Sequence, residues 1–269
     1  MTAAPRVLAP FGRRGARVVD RRVYGAYVVL RCADPDGPRP RAGQFYMLAA
    51  EAWGGGDGER PFLPRAFSAL RAGAGQGVEF LIEDVGPGTH RLCELEPGQD
   101  LLLVGPLGVG FGAPADGRRP LLVGGGVGIA PLAIWQDELG GASALLGFRD
   151  AARAEGARLL ADAQVATDDG SVGHHGLVTD LLRDQLDRDA HATVYACGPP
   201  AMLEAVRALC EDRDTPAQLA LESGMACGFG ACFGCVVPTR HGYIRLCVDG
   251  PVLEASELDT ALVGGELVH

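Results

Sequence analysis

Three cysteines in a C-x4-C-x2-C run, Cys227, Cys232 and Cys235, with Cys247 after eleven intervening residues, constrain this chain more than any other feature. Four thiolates drawn from one short stretch must close around an inorganic centre, and plant-type 2Fe-2S clusters take their ligands at this spacing. Bridging sulfides and four thiolates crowd negative charge into a small volume, so backbone N–H groups must point at the sulfurs. Gly228, Gly230 and Gly234 suit so tight a loop, because glycine accepts positive φ and close backbone approach. A tetrahedral structural zinc also takes four cysteines. Zinc ribbons pair two C-x2-C knuckles, however, and only Cys232 and Cys235 make one here, so the spacing favours iron. Cys32, Cys93, Cys197 and Cys210 are scattered and are expected to be small buried hydrophobes, with Cys197 alone in a turn of chemical interest.

Eight cysteines in a cytosolic enzyme point to metal or redox chemistry rather than to a disulfide framework. All 24 basic residues are arginine and the net charge is -10, which argues against nucleic-acid binding, since neutralising phosphates needs a basic face. With 47% hydrophobic and 22% charged residues the chain can bury a core, and 269 residues suit two or three domains. The longest uncharged stretch, Pro120 to Trp135, is too short for a bilayer and is broken by glycines and Pro131. The arginines from Arg13 to Arg22 precede only a short apolar run, which reads as a first strand of alternating Val23, Tyr24, Ala26 and Val28 rather than an export signal. A cytoplasmic protein without membrane or nucleic-acid partners is expected.

Three segments follow one another. Residues 1–113 read as short strands separated by turn signals at Pro35 to Pro38, Gly54 to Gly56, Gly73 to Gly77 and Pro97-Gly98, the pattern of an antiparallel β-barrel. Residues 114–214 alternate apolar strands, around Leu121, Ala144 and Val194, with helical stretches at Ala130 to Leu139 and Ala201 to Arg213, as a doubly wound parallel sheet does. Residues 215–269 hold the cysteines and end in a polar tail around Glu254 to Glu266.

The run Gly124-Gly125-Gly126-Val127-Gly128-Ile129-Ala130-Pro131 joins a strand to a helix, and such a turn lets backbone N–H groups approach a pyrophosphate. Close packing alone produces similar turns. Cys197-Gly198-Pro199 also ends a strand before a helix, and in open α/β sheets ligands lie at the carboxyl ends of the strands. In the first segment Arg65-Ala66-Phe67-Ser68 offers a cation, an aromatic ring and a hydroxyl on one strand, with Arg65 and Phe67 on one face. Gly86-Pro87-Gly88-Thr89 reads either as a phosphate-binding helix start or as a plain turn and cap.

Taken in order, Arg65 to Ser68, Gly86 to Thr89, Gly105 to Phe111, Gly124 to Pro131, Thr167 to Gly173 and Cys197 to Pro199 resemble the ferredoxin reductase-like flavoproteins. With the cysteine run and Cys247 to Val252 closing it, nearly the whole chain is similar to the electron-transfer subunits of class 1B dihydroorotate dehydrogenase. The resemblance implies an FAD-binding β-barrel, an NAD-binding α/β domain and a small C-terminal 2Fe-2S domain. It implies that Arg65 contacts the FAD pyrophosphate, that Ala66 after it also belongs to the cofactor site, that Phe67 and Ser68 line the isoalloxazine, and that Ile82, Glu83 and Asp84 offer mainly backbone contacts. Gly88 and Thr89 would hold phosphate, Gly124, Gly125, Gly126 and Gly128 would take the dinucleotide, and Cys197 and Gly198 would lie near its nicotinamide. Ala66 stands where the family often has proline, and Asp84 where it often has a basic residue, which removes a cation near the flavin phosphates. Beyond the second α/β strand, Asp150 favours NAD and Arg149 NADP; the resemblance tips this to NAD.

A hydride carries two electrons and the cluster takes one, so FAD would convert between them, and no side-chain acid-base pair is nominated. Since (β/α)8 barrels run to about 250 residues, dihydroorotate oxidation would lie on a separate FMN-bearing subunit, met through Phe229 or Phe233 in a heteromer, expected as a heterotetramer. A hydrogenase, sulfur reductase or oxygenase is an alternative client, and a zinc-containing binding module a different kind of protein altogether.

Overall fold

The computed structural model describes residues 12–50, 63–73, 77–115 and 117–263. The turn expected at Gly54 to Gly56, the middle of that at Gly73 to Gly77 and the far end of the polar tail lie outside them.

Short strands rich in Val, Leu and Tyr curl into a closed antiparallel barrel. β1 (Arg14–Tyr24), β2 (Tyr27–Ala33), β3 (Phe45–Ala50), β4 (Arg65–Gly73), β5 (Gly77–Glu83) and β6 (Asp100–Leu107) run in the order β1-β2-β5-β4-β3-β6, and α1 (Pro87–Cys93) joins β5 to β6. The single strand expected through Val23, Tyr24, Ala26 and Val28 is instead a hairpin that turns at Gly25-Ala26, where Gly25 takes φ +56°. Alternation alone cannot show such a tight reversal.

The next strands are apolar on both faces, as strands between two helical layers must be. β7 (Arg119–Gly125), α2 (Ala130–Leu139), β8 (Ser143–Phe148), α3 (Ala151–Ala154), β9 (Ala163–Thr167), β10 (His174–His175), α4 (Val178–Arg188), β11 (Ala192–Cys197), α5 (Pro200–Asp212) and β12 (Ala217–Ala220) build a sheet ordered β10-β9-β8-β7-β11-β12. All its pairings are parallel. In α4, Val178, Leu182 and Leu186 recur every fourth residue and are buried, while its other face is polar.

After β12 the chain forms the cysteine loop, the hairpin β13 (Val236–Thr239) and β14 (Gly242–Arg245), and the short α6 (Leu246–Asp249). It then returns as β15 (Val252–Glu254), which pairs antiparallel with β12 as the seventh strand of the sheet. The sheet thus extends beyond Asp214. The expected polar tail is corrected in part: Leu258, Ala261 and Val263 are buried, and the Glu204 carboxylate on α5 accepts the Ala261 N–H at 2.6 Å and the Thr260 hydroxyl at 3.0 Å.

Barrel and sheet share one core, in which Tyr27, Leu30 and Phe80 join Ile129, Leu132 and Trp135. A second core joins Phe45, Met47 and Leu107 of the barrel to Leu121, Leu219 and the buried Cys235 and Cys247. Among the described residues no helix is long and apolar enough to cross a membrane.

Candidate functional site

β4 begins at Arg65, and its register sets Ala66 opposite Met47, Phe67 opposite Tyr46 and Ser68 opposite Phe45. The Arg65 guanidinium donates from Nη1 to the Leu63 carbonyl at 2.7 Å and lies flat on the start of α1. A Cβ on Gly88 would fall 2.9 Å from its Nε and 3.1 Å from its Cζ, so the glycine lets the cation lie close to the backbone there. The Thr89 hydroxyl is turned inward. It accepts the N–H of Val85 at 2.9 Å and of Gly86 at 3.0 Å and donates to the Gly86 carbonyl. It therefore shapes the loop, while the first-turn N–H groups of Gly88 and Thr89 have no intrahelical acceptor. A cation beside the free amides of a helix start is the kind of setting an anionic phosphate suits.

Ile82 is buried and Glu83 and Asp84 follow it at the strand end. Asp84 is paired: its Oδ2 lies 2.7 Å from His90 Nδ1. That hydrogen bond, with the charges of Glu94 and Asp84, raises the His90 pKa.

The sheet order reverses between β7 and β11, and the two glycine-containing turns meet at this crevice, with Gly124 opposite Cys197. A Cβ on Gly128 would lie 2.6 Å from both the Cys197 carbonyl carbon and the Gly198 nitrogen. One on Gly125 would strike Met202 Sδ at 2.6 Å. The turns interlock, leaving Gly126 and Val127 partly exposed at the rim. Burial, then the nearby Glu222 charge, pushes the Cys197 thiol well above its ordinary value, so it is a neutral wall and not a nucleophile.

Glu222, just beyond β12, was missed in the sequence because β12 itself was not recognised there. Glu222 is exposed to water, yet the density of protein around its carboxyl pushes it up to about 7. Beyond β8, Asp150 caps α3, and the Asp169 amide bonds the Arg149 carbonyl at 3.3 Å, so the two loops run together.

The four cysteines converge as two pairs. Cys235 Sγ and Cys247 Sγ are 3.2 Å apart and buried, while Cys227 and Cys232 interact through their sulfurs nearer the surface. Among the described residues no three His, Cys, Asp or Glu side chains gather about one point as ligands of a single ion would. Burial opposes the Cys227 thiolate, but the N–H groups of Cys232, Phe229 and Ala231 outweigh it and hold the thiol down to about 6. Burial and the Cys235 sulfur push Cys247 up to about 12, so the inner pair carries two charges only with a cation beside it. Gly228 and Gly230 take the expected positive φ, +78° and +85°. The third left-handed turn falls at Phe233 (φ +58°) and not at Gly234 as expected, and the Arg245 guanidinium 5.4 Å above the Phe233 ring braces it.

The loop also rests on the barrel. A Cβ on Gly228 would meet Met47 Sδ and Leu107 Cδ1 at 3.0 Å, and Met47 is the cross-strand partner of Ala66. One side chain thus separates the cysteine loop from the Arg65 to Ser68 strand. Burial pushes the remaining thiols, Cys32, Cys93 and Cys210, up to about 12, 11 and 12, as inert core residues.

A family model, the iron-sulfur cluster binding domain of dihydroorotate dehydrogenase B, matches residues 222–259. The chain is 34% identical over 250 residues to the dihydroorotate dehydrogenase B (NAD(+)) electron transfer subunit of Caldanaerobacter subterraneus subsp. tengcongensis, covering 90% of this chain and 97% of that one. It is 41% identical over 233 residues to the subunit of the same name from Geobacillus thermodenitrificans, covering 80% and 86%. Among solved structures, an NADH-dependent reduced ferredoxin-NADP oxidoreductase studied for flavin-based electron bifurcation superposes with a TM-score of 0.75 at 26% identity, over 91% of this chain and 90% of that one. A ferredoxin NADP+ reductase from Neisseria gonorrhoeae with bound FAD and NADP shares the fold, with a TM-score of 0.58 at 18% identity over 75% and 91%.

Proposed function

Because the chain belongs to the family of dihydroorotate dehydrogenase B electron-transfer subunits, we propose that its three sites form one line, from the β7–β11 crevice through the barrel to the cysteine loop. The chain is an oxidoreductase subunit that moves electrons between NAD(H) and a partner, using FAD and a 2Fe-2S cluster, for dihydroorotate oxidation in pyrimidine biosynthesis. When bound, the nicotinamide would take or deliver a hydride, the flavin would exchange paired for single electrons, and the cluster would carry them singly.

The residues divide the labour. Arg65, with the amides of Gly88 and Thr89, neutralises the FAD pyrophosphate, while Ala66, Phe67, Ser68 and the backbone of Ile82, Glu83 and Asp84 hold the ring. Gly124, Gly125, Gly126 and Gly128 admit the dinucleotide, and Cys197 and Gly198 form the uncharged wall against its nicotinamide. Cys227, Cys232, Cys235 and Cys247 hold the irons two by two. Residues 1–113, 114–214 and 215–269 are the corresponding units, with β12 and β15 of the third extending the sheet of the second. The partner is the FMN-bearing catalytic subunit, docked in the cytoplasm on Phe229 and Phe233 beside the outer thiol pair.

One observation carries this reading: the cysteine loop lies on Met47, directly across the ladder from Ala66. Anaerobically purified protein is expected to show flavin and iron-sulfur absorbance, with about two irons and two sulfides per chain. Co-expressed with its FMN-bearing partner, it is expected to reduce NAD+ with dihydroorotate. A colourless protein containing zinc defeats the proposal; a coloured one that serves only another acceptor redirects it to a different client.

A further inference from the structure

The segment after β8 is latched to the end of β5 by one guanidinium. Arg153 donates from Nε to Glu83 Oε1 at 2.7 Å and from Nη1 to Asp150 Oδ2 at 2.5 Å. The other Asp150 oxygen accepts the Arg153 backbone N–H at 3.0 Å and so caps α3. Glu83 is the last residue of β5 and its side chain is only 17% exposed, so the ion pair across to Arg153 is better shielded than an ordinary surface pair. Around it the contact is close. The Ala152 carbonyl accepts the Ala26 N–H at 3.1 Å, in the hairpin turn between β1 and β2, and a Cβ on Gly25 would run into that same carbonyl. Gly156 lies on the Tyr27 ring, the residue paired with Glu83 in the β2–β5 ladder. Farther along, Arg71 of β4 bonds Asp137 of α2 and the Leu159 carbonyl.

Each end of the latch belongs to a different site. Glu83 follows Ile82 and precedes Asp84 in the stretch that holds the flavin, whereas Asp150 and α3 follow β8, whose Gly147 is paired with Gly125 of the dinucleotide turn. Two carboxylates share one cation, so removing Arg153 leaves Glu83 and Asp150 facing each other uncompensated and drives the two segments apart.

We propose that Arg153 is a positioning residue that couples the two nucleotide sites: ordering of the β5 end by FAD is transmitted through Glu83–Arg153–Asp150 to the loop that receives the second dinucleotide. The proposal rests on the assignment of FAD to the barrel and NAD to the crevice. Coupling of this kind is reciprocal and runs from about 5- to 150-fold in affinity.

ADP-ribose is the probe, because it lacks nicotinamide and cannot stack on the flavin. Its affinity is measured by calorimetry for the full chain with FAD bound and with FAD stripped. Wild type is expected to bind it about tenfold more tightly with FAD present. Arg153→Ala is expected to bind it equally in both states while still taking up FAD. Arg153→Lys, which keeps the charge but not the fork, is expected to fall between, and serves if the alanine variant does not fold. Wild type that binds both ligands with no difference between states, or variants that keep the full difference, overturns the latch alone. Wild type that binds neither FAD nor ADP-ribose overturns the site assignment and the latch with it.

Discussion

At the residue scale, two glutamates depart in opposite directions from an ordinary carboxyl, and each departure has a sign. Glu222 is raised from 4.5 to about 7 because the surrounding protein disfavours its charge. The fold therefore prefers it protonated, so stability falls as pH rises from about 4.5 to 7 and then levels off. Glu222→Gln is expected to melt at a higher temperature than the parent at pH 8, with the difference vanishing near pH 4.5, as differential scanning calorimetry on the FAD-free chain would record. The cysteines were legible from spacing alone, since a ligand pattern is a property of the chain. Glu222 was not, because its chemistry comes from β12 bringing it to a crevice made by residues some hundred positions earlier. The same holds for Thr89: the sequence identifies a hydroxyl at a helix start, but only the folded loop shows it spent on Val85 and Gly86.

Among the elements, α5 shows how the chain's end is fastened. Glu204 is held at about 2, chiefly by its hydrogen bonds to Arg207, and burial only partly opposes this. Its ionised form also accepts the Ala261 amide, so this stabilisation is complete above the unfolded value near 4.5 and fades as pH falls toward 2. Glu204→Gln is expected to be roughly 1–3 kcal/mol less stable in urea at pH 7, given that a pKa unit is about 1.4 kcal/mol. The gap should close near pH 2. Faster amide exchange at Ala261 would localise the effect. The apolar strands and α2 and α5 were legible because their pattern is periodic and local. β12, β15 and the β1–β2 hairpin were not. The first two are only four and three residues long and gain their stability from the ladder, β12 beside β11 and β15 beside β12, and the hairpin reverses at just two residues, Gly25 and Ala26, between runs of β-formers.

For the whole molecule, the cysteine loop exposes two aromatic rings: Phe229 is 50% exposed and Phe233 62%. Such residues gathered beside the outer thiol pair suit a protein partner better than water. Phe229→Glu is expected to abolish co-elution with the FMN-bearing subunit in gel filtration while leaving the iron-sulfur absorbance unchanged. Unaltered co-elution would move the docking face elsewhere. The order of barrel, sheet and cysteine loop was readable from the motifs in sequence, but that barrel and loop touch at Met47 was not. The loop departs from β12 and comes back through β15 beside it, so both its feet stand on a single sheet edge. A protein bleached by oxygen would accordingly keep its scaffold, and its inorganic core could be refilled in place, without a fresh round of folding.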